Sequence, residues 1–466
     1  MNPVKRSWTQ LGRAVTKSLT AGGGKRRIVR TLCTVQPQTE QCAPCEQVKL
    51  PDLNKEFKGL ETDFPCLTKN QAAGPEPSYH KVVSGYKNFK YTSPFQLKHH
   101  QGVLPEFNIA YETWGELNEA KDNAVLVCTG LSASSHARSH EDNPQPGWWE
   151  KFVGPGCALD TDRFFIICTN NLAGCYGSTG PSSINPITEK PYGTTFPIVS
   201  VEDMVRAQFL LLDSLGIDKL YSTVGSSLGG MQSLASSVLF PERVERVVTI
   251  SACARVSPTS ISLRYLQRKA IMLDPEWQRG YYYNTNRYPK MGMKLARELA
   301  TLSYRSGPEW EQRFGRQRID ENEEPSLCPT FMIENYLDYQ GESFAMKLDP
   351  NTLLYISKAM DLFDLGETYG SLHEALGRVK CPVMVIGVQS DILFPVKQQR
   401  EIANVLQEAG NHEVTYYELT SPYGHDTFLL ELNTVGTGIK GFLETNMANK
   451  GRAKTQKTFQ GSKESS

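Results

Sequence analysis

An α/β fold, with a mostly parallel central sheet covered on both faces and a helical insertion, is predicted by two features of the chain. Short, nearly all-apolar runs alternate with stretches of helical periodicity, and one long helical stretch interrupts that alternation. Strands buried on both faces read as continuous apolar runs, and strand, helix, strand in succession gives parallel neighbours.

Taken in order, strands are expected at 107–111, 125–128, 164–168, 220–224, 247–250, 383–388 and 414–419. Helices are expected between them at 201–215, 230–240 and 396–409. Residues 261–372 are rich in Arg, Tyr, Trp and Met at helical spacing and carry almost no strand pattern. They predict a lid over the C-terminal edge of the sheet, where ligands bind in open α/β folds. The core is thus expected in two parts, 81–260 and 373–446. No internal repeat is visible.

The ends read differently. The first 39 residues hold no Asp or Glu, while Lys5, Arg6, Arg13, Lys17, Lys25, Arg26, Arg27 and Arg30 are basic. Without a continuous apolar stretch, this pattern fits a mitochondrial transit peptide over 1–36 and argues against a secretory signal. Residues 37–80 read as a poorly ordered linker and 447–466 as a disordered polar tail.

Composition narrows the function classes. Of the 466 residues, 39% are hydrophobic and 21% charged, and the formal net charge is zero. No run is long and apolar enough to span a membrane. Nothing in the charge balance favours nucleic acid or anionic lipid, so a small-molecule substrate is expected. The eleven cysteines are scattered and odd in number, which excludes a disulfide framework and points to a reducing compartment. Cys42 and Cys45 form a C-x-x-C with no second pair, too little for a metal site.

Chemistry enters after the 220–224 run. Gly225-Ser226-Ser227-Leu228-Gly229 stands between a strand and a helix, the setting of a nucleophile elbow and hence of an α/β-hydrolase fold. The glycines suit a sharp turn with close backbone approach, and the helix N-terminus favours negative charge developing at Ser227. A base and an orienting acid should follow in chain order. Of the eight histidines, only His373, His412 and His425 lie beyond Ser227. His373 sits in a helical run and His412 in a turn, whereas His425 occupies a tight loop after the 414–419 strand. Asp391, just past the 383–388 strand, is the expected acid; Asp361 and Asp364 compete but belong to the lid. Oxyanion donors are expected at the Leu228 N–H and, in the loop after 125–128, at the Leu131 N–H. Either glycine-bearing stretch also fits a plain tight turn.

With these residues assembled, the chain resembles the homoserine O-acetyltransferase family. The resemblance is carried by Gly130-Leu131-Ser132-Ala133-Ser134-Ser135-His136-Ala137, Gly147-Trp148-Trp149, Gly174-Cys175-Tyr176-Gly177-Ser178-Thr179-Gly180-Pro181, Gly229-Gly230-Met231-Gln232, Arg313-Phe314-Gly315-Arg316 and Gly424-His425-Asp426, over about 90–445. Within it the chain is most similar to the fungal mitochondrial serine O-acyltransferases of cysteine synthesis, through Ser306-Gly307-Pro308-Glu309-Trp310 and the stretch 354–366. It departs from the homoserine enzymes, which usually carry Gly and Met where Ser226 and Leu228 stand.

The resemblance implies an acyl-CoA-dependent O-acyltransferase with a helical lid, dimeric through that lid, in which acyl-CoA is a co-substrate and no metal or cofactor is needed. It implies further that Arg297 holds the carboxylate of a hydroxy amino acid and Asp426 its ammonium. L-serine is the expected acceptor, with acetyl or succinyl as the acyl group. L-homoserine acetylation and simple ester hydrolysis are the alternatives.

Overall fold

The computed structural model describes residues 64–68 and 74–445. The expected transit peptide, most of the expected linker, the C-terminal tail and the Cys42/Cys45 pair lie outside them.

An eight-stranded sheet organises the described chain. We number its strands β1 (Lys87–Tyr91), β2 (Phe107–Trp114), β3 (Ala124–Cys128), β4 (Phe165–Thr169), β5 (Ser222–Ser226), β6 (Val247–Ile250), β7 (Val383–Val388) and β8 (Val414–Leu419). They lie in the order β1-β2-β4-β3-β5-β6-β7-β8. β2 runs antiparallel to both its neighbours, and every other pair is parallel. β1 was not expected: its Lys-Asn-Phe-Lys-Tyr sequence is mostly exposed, as an edge strand tolerates.

Side chains alternate across the sheet. Ala124, Leu126 and Cys128 enter one core with Val383 and Val385, while Val125 and Val127 enter a second with Met384 and Ile386. Helices α1 (Val201–Ser214), α2 (Leu228–Leu239) and α8 (Lys397–Glu408) cover the first face through Met204, Leu234 and Ile402. Trp149, Phe152, Val435 and Ile439 close the second. α1 begins on a capping box, Ser200 accepting from the Asp203 N–H while the Asp203 carboxylate accepts from Ser200.

Between β6 and β7 lies the lid. Its longer helices are α3 (Pro258–Leu273), α4 (Lys290–Tyr304), α5 (Gly307–Arg313), α6 (Met332–Ala345) and α7 (Pro350–Asp361). α3 packs on α4, and α4 on α6. Ser306, at the start of α5, donates a hydrogen bond to the Pro422 carbonyl, tying the lid to the loop beyond β8.

Two expectations need correcting. Tyr79 falls within the expected linker yet is buried, and its hydroxyl donates to Asp349 Oδ1 at 3.3 Å. Asp349 also accepts from Tyr282 at 2.6 Å and Tyr283 at 3.1 Å, so residues next to the core are recruited by a buried carboxylate in the lid. The cysteines are not all reduced either: Cys66 and Cys328 are disulfide-bonded, with Cα atoms 5.6 Å apart. A separation of 262 residues leaves no spacing signal for such a pair. Cys128, Cys157, Cys168, Cys175, Cys253 and Cys381 are free.

Candidate active site

Sheet register brings three loop origins level. Cys128 pairs with Gly225, Ser226 with Ile250, and Ile250 with Ile386. The chain therefore leaves β3, β5 and β7 at one edge, where Leu131, Ser227 and Asp391 follow within a few residues.

Ser227 holds φ 58° and ψ −125°, a left-handed conformation uncommon for a side-chain-bearing residue and characteristic of a strained functional turn. Its N–H donates to the Ile250 carbonyl at 2.9 Å, locking the turn to β6. The flanking glycines are required by contact. A Cβ on Gly225 would stand 2.1 Å from the Gly229 carbonyl oxygen, and one on Gly229 only 2.0 Å from that of Cys128.

His425 follows β8 in a short turn and is buried at 5% exposure. Its Nδ1 lies 2.6 Å from Asp391 Oδ2. The other oxygen, Oδ1, accepts the backbone N–H groups of Leu393 at 2.9 Å and Phe394 at 2.8 Å. The Asp391 carboxylate accepts from Nδ1–H, the tautomer in which a neutral ring keeps its lone pair on Nε2. That Nε2 is buried without a hydrogen-bond partner. Phe394 stacks on the imidazole at 5.1 Å and Phe428 meets it edge-on, fixing the ring plane.

A cavity of about 290 Å³ is lined by Ser227, His425, Leu131, Arg297 and Asp426, among others. Asp391 sits behind His425. The larger depression of about 890 Å³ lies along β8 and residues 433–445 and touches none of them. His373 and His412 are exposed. Asp361 is engaged by two lid arginines, with Arg264 Nε at 2.7 Å and Arg268 Nη2 at 2.5 Å.

Leu228 opens α2, so its N–H has no partner within the helix. The loop carrying Leu131, the other expected donor, is held by a network that includes Gln232 of the Gly229-Gly230-Met231-Gln232 motif. Gln232 donates from Nε2 to the Thr129 carbonyl at 3.2 Å and to Asn171 Oδ1 at 2.9 Å, and accepts from Gln208 at 2.6 Å. Asn171 in turn donates to the Gly130 carbonyl at 3.0 Å. The Gly130 carbonyl and the Leu131 N–H share one trans peptide plane, so anchoring the carbonyl on Asn171 turns the N–H the opposite way.

Downstream, Glu112 on β2 anchors the same loop. Its Oε1 accepts from Ser135 Oγ at 2.7 Å, and its Oε2 meets His136 Nδ1 at 2.7 Å and His140 Nε2 at 2.6 Å. Glu112, His136 and His140 have the composition of a metal site. His136 Nε2, however, faces the Gln145 carbonyl at 2.7 Å. Both ring nitrogens thus donate, leaving His136 an imidazolium with no lone pair for a metal. Burial pulls its pKa down, but the Glu112 and Gln145 hydrogen bonds outweigh that and raise it.

Arg297 lies over the rings of Phe344 at 4.4 Å and Tyr304 at 4.9 Å. No carboxylate among the described residues hydrogen-bonds its guanidinium. Asp426 has Arg305 Nη2 at 3.4 Å from Oδ2. Burial raises the Asp426 carboxyl pKa, against the opposing pull of Arg305, His425 and Arg297. Two guanidiniums, Arg297 and Arg264, and the Asp426 carboxyl therefore line one cavity beside Ser227 and His425, an arrangement suited to seating a zwitterion next to a serine hydroxyl.

Comparison with known proteins decides the family. The α/β hydrolase fold model matches residues 123–432. The chain is 50% identical over 455 residues to a serine O-succinyltransferase of Emericella nidulans, covering 82% of this chain and 87% of the relative. It belongs to the α/β-hydrolase-fold O-acyltransferases. A homoserine O-acetyltransferase of Moorella thermoacetica is 45% identical, covering 73% of this chain and 91% of its own length. A crystallised esterase superposes with a TM-score of 0.71 at 30% identity, covering 77% of this chain and all of that one. As a member of this group, the chain is an enzyme of acyl transfer.

Proposed function

We propose that this acyltransferase moves an acyl group from an acyl-CoA thioester to the side-chain hydroxyl of L-serine, through an ester on Ser227. The observation that carries the reading is the bare Nε2 of His425, with Nδ1 held by Asp391, in a cavity shared with Ser227, Arg297 and Asp426.

His425 Nε2 takes the proton from Ser227 Oγ as the oxygen attacks the thioester carbonyl. The Leu228 and Leu131 N–H groups receive the oxyanion. Collapse breaks the carbon–sulfur bond, and His425 returns its proton to the departing CoA thiolate. L-serine then enters, its carboxylate on Arg297 and its ammonium on Asp426. Its hydroxyl gives a proton to His425 and attacks the acyl ester, and Ser227 leaves and regains that proton. The product is an O-acylserine, an activated form of serine suited to cysteine formation.

A simple esterase would have no use for a guanidinium and a carboxylate beside the nucleophile. Between acceptors, the 50%-identical relative is named for serine and the 45%-identical one for homoserine, which supports serine. The test follows CoA release from acyl-CoA donors with L-serine, L-homoserine or no acceptor. L-serine should give the highest kcat/KM, and intact mass without acceptor should show acylation that Ser227→Ala abolishes. Equal release without acceptor would make the protein a hydrolase, and preference for L-homoserine would reassign the acceptor.

The reading includes a homodimer and a mitochondrial location. Tyr265, Leu266, Leu273, Leu295 and Leu302, on lid helices α3 and α4, expose apolar side chains suited to pairing through the lid. Light scattering at the mass of one chain would overturn this. The basic, acid-free composition of the first 39 residues supports import; import unaltered by deleting 1–36 would refute it.

A further inference from the structure

Arg264 is the buried charge that the scheme above leaves without a ligand. It lies on α3 four residues before Arg268, and both guanidiniums converge on Asp361. Arg268 satisfies that carboxylate through Nη2 and reaches Ser357 Oγ with Nη1 at 3.2 Å. Arg264 spends only Nε on Asp361, at 2.7 Å. Its Nη1 and Nη2 are buried and unpartnered, in a residue only 2% exposed. Two cations thus share one anion away from bulk water, and among the described residues no other carboxylate hydrogen-bonds either arginine. A buried guanidinium in excess is costly unless something anionic meets it.

Arg264 lines the same cavity as Ser227 and His425. The acceptor's charges are already matched, its carboxylate by Arg297 and its ammonium by Asp426. What remains is a planar fork whose two terminal nitrogens are unpartnered, in a residue that lines the cavity of Ser227, a donor set that suits a carboxylate bidentately. Neither L-serine nor an acetyl group supplies a second carboxylate. A short dicarboxylic acyl chain does.

We propose that Arg264 is a donor-specificity residue, binding the distal carboxylate of a dicarboxylic acyl group such as succinyl while its other end is esterified to Ser227. This rests on Ser227 being the acyl carrier. The carboxylate stays bound through both half-reactions, so it anchors the acyl chain while CoA leaves and L-serine enters. Asp361 holds the fork in place, and Arg268 keeps Asp361 paired when Arg264 is replaced.

The test compares succinyl-CoA, acetyl-CoA and butyryl-CoA, the last matching succinyl in length without its charge, each with L-serine. The full chain should favour succinyl-CoA over butyryl-CoA by about 100-fold or more in kcat/KM, as sites built around a substrate's polar group do. Arg264→Leu should collapse that ratio through loss of succinyl-CoA use, leaving butyryl-CoA turnover and the KM for L-serine within a few-fold, and Arg264→Lys should restore part of it. Preference for acetyl-CoA by the unmodified protein, or a succinyl preference surviving in Arg264→Leu, would overturn the assignment. Should Arg264→Leu not fold, the donor ratio of the unmodified protein and the Lys variant decide. Turnover with acetyl-CoA but no succinyl preference sinks this inference alone, whereas no CoA release from any donor sinks the acyl-Ser227 reading with it.

Discussion

Asp391 and His425 meet at 2.6 Å through Oδ2 and Nδ1, while two backbone amides hold the other carboxylate oxygen. The acid therefore cannot rotate, and it dictates which ring nitrogen carries the proton. Asp391→Asn should present a donor to Nδ1, favour the wrong tautomer and lower kcat by about a thousandfold to ten-thousandfold. The KM for L-serine should change little. Steady-state kinetics on the folded variant check this, and a fall under tenfold would remove Asp391 from the role.

The Gln232 network makes a separable demand. Gln232→Leu strips the Thr129 carbonyl and the Asn171 side chain of a donor and should cost about 1–3 kcal/mol of stability. Because the Gly130–Leu131 peptide is then less firmly held, acylation should slow by roughly 10- to 100-fold. Rapid-mixing measurement of CoA release reads this step. An unchanged acylation rate would leave Gln232 a packing residue.

Glycine positions around the elbow should differ sharply. Gly229→Ala forces a methyl to 2.0 Å from the Cys128 carbonyl oxygen, backbone that cannot swing aside. A loss of about 3 kcal/mol is expected. Gly130 has nothing within 4 Å of a built Cβ, so Gly130→Ala should melt within a few degrees of the parent protein. Thermal unfolding of the two variants side by side is the measurement.

Stability should depend on pH through Glu298 of α4. Burial raises its carboxyl to about 7, with Lys294 opposing and Asp338 reinforcing the shift. Between the ordinary glutamate range and about 7, the folded chain holds a proton that the unfolded chain has released. Stability therefore falls as pH rises through that window. Glu298→Gln should flatten this part of the profile, as read from melting temperature between pH 4.5 and 7.5. An identical slope in parent and variant would contradict the assignment.

The parts legible in the sequence are those whose chemistry is local. β3 is an unbroken apolar run and β6 and β7 are nearly so, and the Ser227 turn announces itself because only glycine fits at Gly225 and Gly229. His425 and Asp391 could be placed by their positions after strands. Arg264 could not, since on α3 it reads as one lid arginine among several until folding sets Asp361 opposite it. Gln208 and Asn171 carry no pattern, and Gln232, though it ends the Gly229-Gly230-Met231-Gln232 motif, shows no role there, because an amide network is defined by who meets whom in space. β1 escaped notice for the opposite reason: an exposed edge imposes no apolar pattern on its residues.

One division of labour has a practical outcome. Ser227, Asp391 and His425 hang from the ends of β5, β7 and β8, whereas Arg264 and Arg297 ride on α3 and α4, outside the sheet. The cavity's arginines thus come from one stretch of the polypeptide, while Asp426, next to His425, stays with the sheet. Grafting residues 258–376 from one relative onto the scaffold of another should carry over the acyl-group preference set by the lid and leave the reaction type alone, a modularity that protein engineers can exploit.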